Sequence, residues 1–188
     1  MRHGANRETV SLRIPCAADA KALVAAVQAS CDQLSVWLPW ATADYGDDTA
    51  IQWIDGAFGA SHRFVIETGG QLLGCGFLSR FDRLHRSAHL GYWVRTDRTR
   101  QGYATAATRL MTRFALGPGA FERVEIRVAV GNLASRRVAE KSGATFEGIA
   151  RNGFCLHGVM HDVCVFSFVR GDAIPNAPRS FLSVREGS

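Results

Sequence analysis

The sequence predicts one mixed α/β domain. Three observations carry that reading. A length of 188 residues suits a single core. The apolar spacing switches repeatedly between period two and period 3.6. Gly and Pro separate the two kinds of segment. Residues 10–14 alternate and stop at Pro15, predicting a first strand. Residues 17–30 are rich in alanine and set Leu23, Val24 and Val27 at helical spacing. Residues 34–45, with Trp37, Pro39 and Trp40, predict an aromatic loop. Residues 47–59 predict a second helix with Ile51, Ile54, Ala57 and Phe58 on one stripe. Three strands follow at 63–67, 71–79 and 88–95, the first two joined by a Gly69-Gly70 turn. A helix at 102–116 carries Ala104, Ala107, Leu110, Met111 and Phe114 on its apolar face and stops at Gly117-Pro118-Gly119. Val124, Ile126, Val128 and Val130 alternate through a strand at 123–130. A short helix at 132–142 is ended by Gly143, and two strands fit 145–151 and 159–170. The order is β-α-α-β-β-β-α-β-α-β-β. The domain is expected over 8–171, with a loosely held tail over 172–188 that contains Pro175 and Pro178.

Composition excludes several classes of function. The chain is 47% hydrophobic and 21% charged, as ordinary globular proteins are. No apolar run approaches the roughly 20 residues of a membrane-spanning helix. The opening Met1-Arg-His-Gly-Ala-Asn-Arg-Glu8 lacks the apolar stretch of a signal peptide, so a cytoplasmic protein is the default expectation. Cys16, Cys31, Cys75, Cys155 and Cys164 are scattered and form no CxxC or zinc-like cluster, which predicts reduced, mostly buried thiols and no bound metal. The net charge of +5 suits either nucleic acid or an anionic cofactor. Its distribution favours the second. Arg95, Arg98 and Arg100 cluster before one glycine, Arg136, Arg137 and Lys141 cluster in a later helix, and 44–48 is acidic. No basic stripe with interleaved aromatics runs along the chain.

The stretch Trp93-Val-Arg-Thr-Asp-Arg-Thr-Arg-Gln-Gly-Tyr-Ala-Thr-Ala-Ala107 reads as strand, turn and helix. A glycine that opens a helix straight after a strand lets the backbone approach an anion, and the unpaired amides of the first turn point at it. Flanking arginines add positive charge, and Thr105 adds a hydroxyl. Taken alone this is a weak signal. A second motif strengthens it: Asn132-Leu-Ala-Ser-Arg-Arg-Val-Ala-Glu-Lys-Ser-Gly143, placed behind the strand at 123–130.

Together with Trp37-Leu-Pro-Trp40 and Leu90-Gly-Tyr-Trp-Val94, these motifs resemble the GCN5-related N-acetyltransferase (GNAT) superfamily. Within it, the chain is similar to the RimJ/RimL-like branch of ribosomal-protein N-terminal acetyltransferases. The resemblance spans about residues 10–170. It implies a GNAT fold, a mixed sheet flanked by helices, in which the parallel strands at 88–95 and 123–130 splay apart and acetyl-CoA lies in the gap. The family's phosphate loop then falls on Thr99, Arg100, Gln101, Gly102, Tyr103 and Ala104. Thr99 departs from the usual Gln or Arg, and Arg100 stands where many relatives have glycine. Ala106 replaces a common Glu.

The resemblance also implies roles. Acetyl-CoA would be held by Tyr92, Trp93, Val94 and Arg95 of the splayed strand, by Arg100–Thr105, and by Asn132, Ser135, Arg137 and Lys141 of the second motif. A backbone amide near Tyr92–Val94 would polarise the thioester carbonyl. Asn132 is also an ordinary helix N-cap. The tyrosine acid of many superfamily members is replaced by Ala139, and Ser135 is the group offered instead to the departing thiolate. His89 stands where relatives often carry Glu, and is expected to take a proton near neutral pH; His62, Glu67, Asp82 and Glu125 are further candidates. Asp162 is read as structural. Trp37, Trp40 and Asp44 are the expected acceptor subsite, suited to a cationic amine.

The activity implied is acetyl transfer to a primary amine by direct attack in a ternary complex. The acceptor is either a protein N-terminus, ribosomal proteins included, or a small amine such as a polyamine or aminoglycoside. Another acyl-CoA donor would leave the same motifs. A CoA-binding sensor that has lost catalysis is the alternative from another class, since Ala139 and His89 replace the usual catalytic pair. Related enzymes are often dimers, and a homodimer through the final strands or the Trp-rich loop is one arrangement the resemblance allows.

Overall fold

A computed structural model of the chain describes residues 9–59 and 62–176 and the backbone of 181–182. The expected domain start at residue 8, the opening eight residues, and the tail at 177–180 and 183–188 lie outside the described residues. The elements are β1 (Val10–Arg13), a 3-10 turn (Ala17–Asp19), α1 (Ala20–Gln28), α2 (Cys31–Leu34), α3 (Asp47–Asp55), β2 (His62–Thr68), β3 (Gln71–Asp82) and β4 (Ser87–Val94). They continue with α4 (Tyr103–Leu116), β5 (Arg123–Ala129), α5 (Leu133–Ser142), β6 (Thr145–Leu156), β7 (Val159–Val169) and β8 (Phe181–Leu182). Three differences from the sequence reading have physical causes. The helix expected over 17–30 opens as a 3-10 turn. The aromatic loop begins with the four-residue α2, too short to show a period. The strand expected to stop at residue 151 runs on to Leu156 through a bulge between Ala150 and Phe154, where the Asp162 carboxylate accepts the amide of Asn152 at 2.9 Å.

One sheet in the order β6-β7-β5-β4-β3-β2-β1-β8 holds all the strands of the described residues. Only β4–β5 and β1–β8 are parallel. The β4–β5 joint needs a crossover, which α4 supplies. Strand alternation then builds two cores. On one face Leu12, Phe64, Ile66, Leu78, Leu90 and Ile126 pack with Met111 and Leu110 of α4. On the other, Val65, Cys75 and Trp93 pack with Leu23 and Val27 of α1 and Ile54 of α3. α4 sits close to the sheet because Gly76 leaves room for it: a Cβ there would stand 2.3 Å from Met111 Sδ. The thiols are all free, but only Cys75 and Cys164 are buried, while Cys16 and Cys155 are exposed; the expectation of mostly buried thiols does not hold.

β4 and β5 pair at only three positions, ending at His89 with Glu125. Beyond this point each strand keeps its other neighbour: β4 stays paired to β3 as far as Val94, and β5 to β7 as far as Ala129. The two parallel strands therefore open as a V with His89 at the vertex. Arg113 of α4 holds the chain after β7, donating to the carbonyls of Ile174 and Pro175 and to Asn176 Oδ1 at 3.0–3.1 Å.

The N-terminal strand is fastened by a part-buried ion network. Arg13 donates to Asp19 at 2.6 and 2.7 Å and to Glu67 at 2.8 Å. Burial on its own would raise the Asp19 carboxyl, but the hydrogen bonds from Arg13 and the Cys16 amide outweigh it and leave the carboxyl below its ordinary value of 3.8. A depressed carboxyl contributes stability that is present above the ordinary value and lost as pH falls below it. Asp19→Asn is expected to cost about 2 kcal/mol at pH 7, because it leaves the part-buried Arg13 guanidinium with Glu67 alone. Denaturant unfolding should show that deficit shrinking below pH 3.8; a deficit independent of pH would assign it to packing.

Candidate active site

The V opens into a cleft of about 810 Å³. Its walls are the facing edges of β4 and β5, closed by the start of α4 at one end and by α5 along one side. Arg95 N donates to Leu73 O of β3 at 2.7 Å. Backbone groups alternate in direction along a strand, so the amides of Tyr92 and Val94 face away from β3, toward the gap.

At the open end of the V the chain turns into α4. Gly102 is the N-cap at φ 87° and Arg100 lies at φ 61°. Both are left-handed conformations, in which glycine is the least strained residue, so Arg100 holds a backbone position that suits glycine. The helix's own ladder begins with Ala106 N to Gly102 O, so the amides of Ala104 and Thr105 lie ahead of it. The charged side chains lining the cleft here are Arg98 and Arg100, with Arg137 and Lys141 from α5. No Asp or Glu lines the main cleft among the described residues. A smaller adjoining hollow, beside Val94 and Thr96, carries Asp32.

Midway, β4 meets α5. Asn132 Oδ1 accepts the Ser135 amide at 3.0 Å, an N-cap that fixes the first turn. Ser135 Oγ lies 2.9 Å from the Tyr92 hydroxyl, which also donates to the Ser135 carbonyl at 3.3 Å. Burial pushes the Tyr92 phenol up to about 12, so it stays protonated and available as a donor. Ala139, by contrast, is fully buried in the α4 core and faces away from the cleft. The phenol next to α5 thus comes from the strand.

At the vertex, His89 shares a sheet face with Gly91 on β4 and with Glu125 and Arg127 on β5. His89 Nε2 is buried and has no hydrogen-bond partner among the described residues, although the residue lines the cleft. Burial, and after it Arg80 and Arg127, pushes the imidazole down to about 4 against the opposing pull of Glu125. It is therefore neutral well below pH 7, and the expectation of a histidine titrating near neutrality is corrected. Arg127 lies over the Phe154 ring at 5.8 Å. Gly91 is required here, since a Cβ would come within 2.3 Å of the Phe77 ring.

Trp37 and Trp40 line the cleft together with Phe154 and Leu156 of β6, and Trp37 also borders the hollow beside Val94. Trp40 packs edge-on against Trp93 at 6.2 Å. The β6–β7 turn reaches over to this loop, His157 Nε2 donating to Ser35 O at 2.8 Å.

Most of the residues singled out in the sequence line this one cleft: His89, Tyr92–Val94, Arg100, Gly102–Thr105, Asn132, Ser135, Arg137, Lys141, Trp37 and Trp40. Three side chains are not brought into it. Arg95 is turned onto Asp97 at 2.9 Å, Gln101 folds back to the Asp97 carbonyl at 3.4 Å, and Asp44 is exposed outside the cleft lining. The other candidate bases do not line the cleft, although Glu125 stands beside His89 at its vertex. His62 sits among Phe81, Phe114 and Phe121, Glu67 is held by Arg13, Asp82 accepts the His85 amide, and Glu125 pairs with Arg123. Arg127, Phe154 and Leu156 line the cleft without having been singled out.

A V opened between two parallel strands, with a basic helix start at its mouth, defines a class of acyl-group-transfer folds. The acetyltransferase (GNAT) domain family matches residues 9–145. YdaF of Bacillus subtilis (strain 168), which carries the provisional name ribosomal N-acetyltransferase, is 31% identical over 87% of this chain and 92% of its own. The ribosomal-protein-serine acetyltransferase of Escherichia coli (strain K12) is 26% identical over 58% of this chain and 61% of its own. A structure of Mycobacterium smegmatis RimJ in complex with a CoA-disulfide superposes with a TM-score of 0.77 at 26% identity, covering 84% of this chain and 80% of that one. The chain belongs to the GNAT acetyltransferases, in their RimJ/RimL-like branch.

Proposed function

We propose that the protein is an acetyl-CoA-dependent N-acetyltransferase whose acceptor is the N-terminal amine of a protein, ribosomal proteins first among them. The observation that carries this reading is the parting of β4 from β5 directly after His89, which sets the start of α4, the Ser135–Tyr92 pair and His89 along one cleft. The names of YdaF, of the E. coli serine acetyltransferase and of RimJ support the acceptor. The absence of carboxylates from the main cleft lining speaks against a polyamine or aminoglycoside.

The cleft fits the donor by its own chemistry. Forward amides of α4 and the side chains of Arg98, Arg100, Arg137 and Lys141 suit a pyrophosphate, and the gap-facing edge of β4 suits an amide-bearing arm. Bound acetyl-CoA supplies an activated acetyl thioester, whose carbon–sulfur bond is exchanged for a carbon–nitrogen bond to the amine. The gap-facing amide of Tyr92, the nearer of the two to His89, hydrogen-bonds the carbonyl oxygen. His89 Nε2 accepts the proton the amine gives up and passes it to water. Ser135 Oγ donates to the departing sulfur, and the Tyr92 phenol supports that hydroxyl from 2.9 Å.

Release of CoA thiol from acetyl-CoA tests the proposal, with N-terminal peptides of ribosomal proteins set beside spermidine and an aminoglycoside. Turnover of peptides above the small amines is expected. Tight CoA binding with no turnover of any acceptor would replace this reading with a CoA-binding module.

A further inference from the structure

Besides His89 Nε2, the vertex of the cleft carries a second buried nitrogen without a hydrogen-bond partner among the described residues, Arg127 Nε. Arg127 presents five N–H donors, yet it makes no hydrogen bond to any described residue, and its Nε is buried. Its ion pair with Glu125 is long, 3.6 Å, and Glu125 is held more closely by Arg123 at 3.1 Å. Arg123 in turn engages Glu147 and Arg80 lies close to His89, so the vertex keeps one cation in excess: Arg80, Arg123 and Arg127 against Glu125 and Glu147. A buried donor left unpaired costs roughly 1–3 kcal/mol, and native proteins seldom carry one without a use.

Arg127 does not belong to the phosphate end of the cleft. His89 and Val94 are separated by five residues of β4, about 16 Å at the rise of an extended strand. Arg98, Arg100 and the start of α4 lie beyond Val94, whereas Arg127 lies beside His89, under Phe154. Of the carboxylates near the cleft, Asp32 lies in the hollow beside Val94 and Thr96, away from the vertex, and Glu125, beside His89 at the vertex, is engaged by Arg123 at 3.1 Å. An acceptor reaching His89 therefore meets a neutral imidazole nitrogen next to a guanidinium with free donors, between aromatic walls.

We infer that the acceptor site selects an amine with a carboxylate close by, and that Arg127 reads the carboxylate. The occupant favoured is a peptide N-terminus with Asp or Glu as its first or second residue. This rests on the proposed N-terminal acetyltransferase activity and narrows it: His89 addresses the amine while the Arg127 guanidinium, steadied by the Phe154 ring and Glu125, pairs with the acidic side chain. A free amino acid would offer the same pairing through its α-carboxylate.

The test compares Ser-Asp and Ser-Asn N-terminal peptides of otherwise identical sequence, together with free aspartate. Both CoA thiol release and calorimetric binding to the CoA-saturated protein are measured. The Asp peptide is expected to exceed the Asn peptide about tenfold or more in kcat/KM and in affinity, as hydrogen bonds to a charged group allow. Arg127→Gln should bring both ratios close to one, and Arg127→Lys should restore part of the preference. Equal binding of the two peptides to the wild-type protein overturns the inference, whether or not either is turned over. Turnover with equal ratios leaves the N-acetyltransferase reading intact, whereas absence of turnover with every peptide removes that reading. Preference for free aspartate over both peptides keeps the carboxylate and transfers it to a small acceptor.

Discussion

Ser135→Ala is expected to lower kcat about a hundredfold while leaving the fold and the CoA affinity nearly unchanged. The Ser135 hydroxyl is bonded to no structural group except the Tyr92 phenol at 2.9 Å. Its helix is capped through the backbone, because Asn132 Oδ1 takes the Ser135 amide and not the hydroxyl. Removing the hydroxyl thus spares the cap and deletes only the donor offered to the departing sulfur. A lost donor of that kind costs about 2.7 kcal/mol of transition-state stabilisation, which is the hundredfold. Tyr92→Phe should act through the same hydroxyl and cost less, about tenfold, with the double variant losing far less than the product of the two. Asn132→Ala offers the contrast: it removes the cap and should lower stability by about 1 kcal/mol. Steady-state thiol release alongside thermal melts separates these cases. Full activity in Ser135→Ala would reduce the start of α5 to a scaffold.

Both helices bordering the cleft could be read from the sequence because each is framed by local signals. Gly102 and the Gly117-Pro118-Gly119 stop frame α4, and Asn132 and Gly143 frame α5, the latter at φ 97°. The strands were legible from alternation wherever one face is buried. What escaped depended on distance along the chain. The Tyr92–Ser135 contact joins residues 43 apart, and nothing at either position announces the other. Arg127 sits in the alternating Arg123-Val-Glu-Ile-Arg127, where every second side chain looks solvated. Only the departure of β4 after His89 turns that face into a cleft wall. The same blindness explains Asp44 and Arg95. Their charge suggested a subsite, but direction decides, and one is exposed outside the cleft lining while the other spends its charge on Asp97. Arg100 is the opposite case: its departure from the family glycine was visible, and its left-handed φ of 61° is a conformation that suits glycine.

His89→Gln is expected to lower kcat about a hundredfold and by a similar factor at every pH between about 6 and 9, the usual worth of a placed base. The uniformity follows from burial. With its pKa pushed down to about 4 from an ordinary 6.5, the imidazole is neutral throughout that range, so its own titration adds no pH dependence. Any rise of the rate with pH then belongs to the acceptor, whose α-amine loses its proton at about 7.7–8.0, and the rise should persist in the variant. Stability supplies a second and independent readout. As pH falls from 6.5 toward 4, the unfolded chain takes up a proton at this histidine and the folded chain does not, so the wild-type protein loses stability over that window. The loss should reach up to about 3 kcal/mol and be missing from His89→Gln. Denaturant unfolding of the two proteins across that window measures it directly. Parallel curves would mean that the imidazole is not held neutral by its burial, and a wild-type rate limb near pH 6.5 that vanishes in the variant would return His89 to ordinary titration.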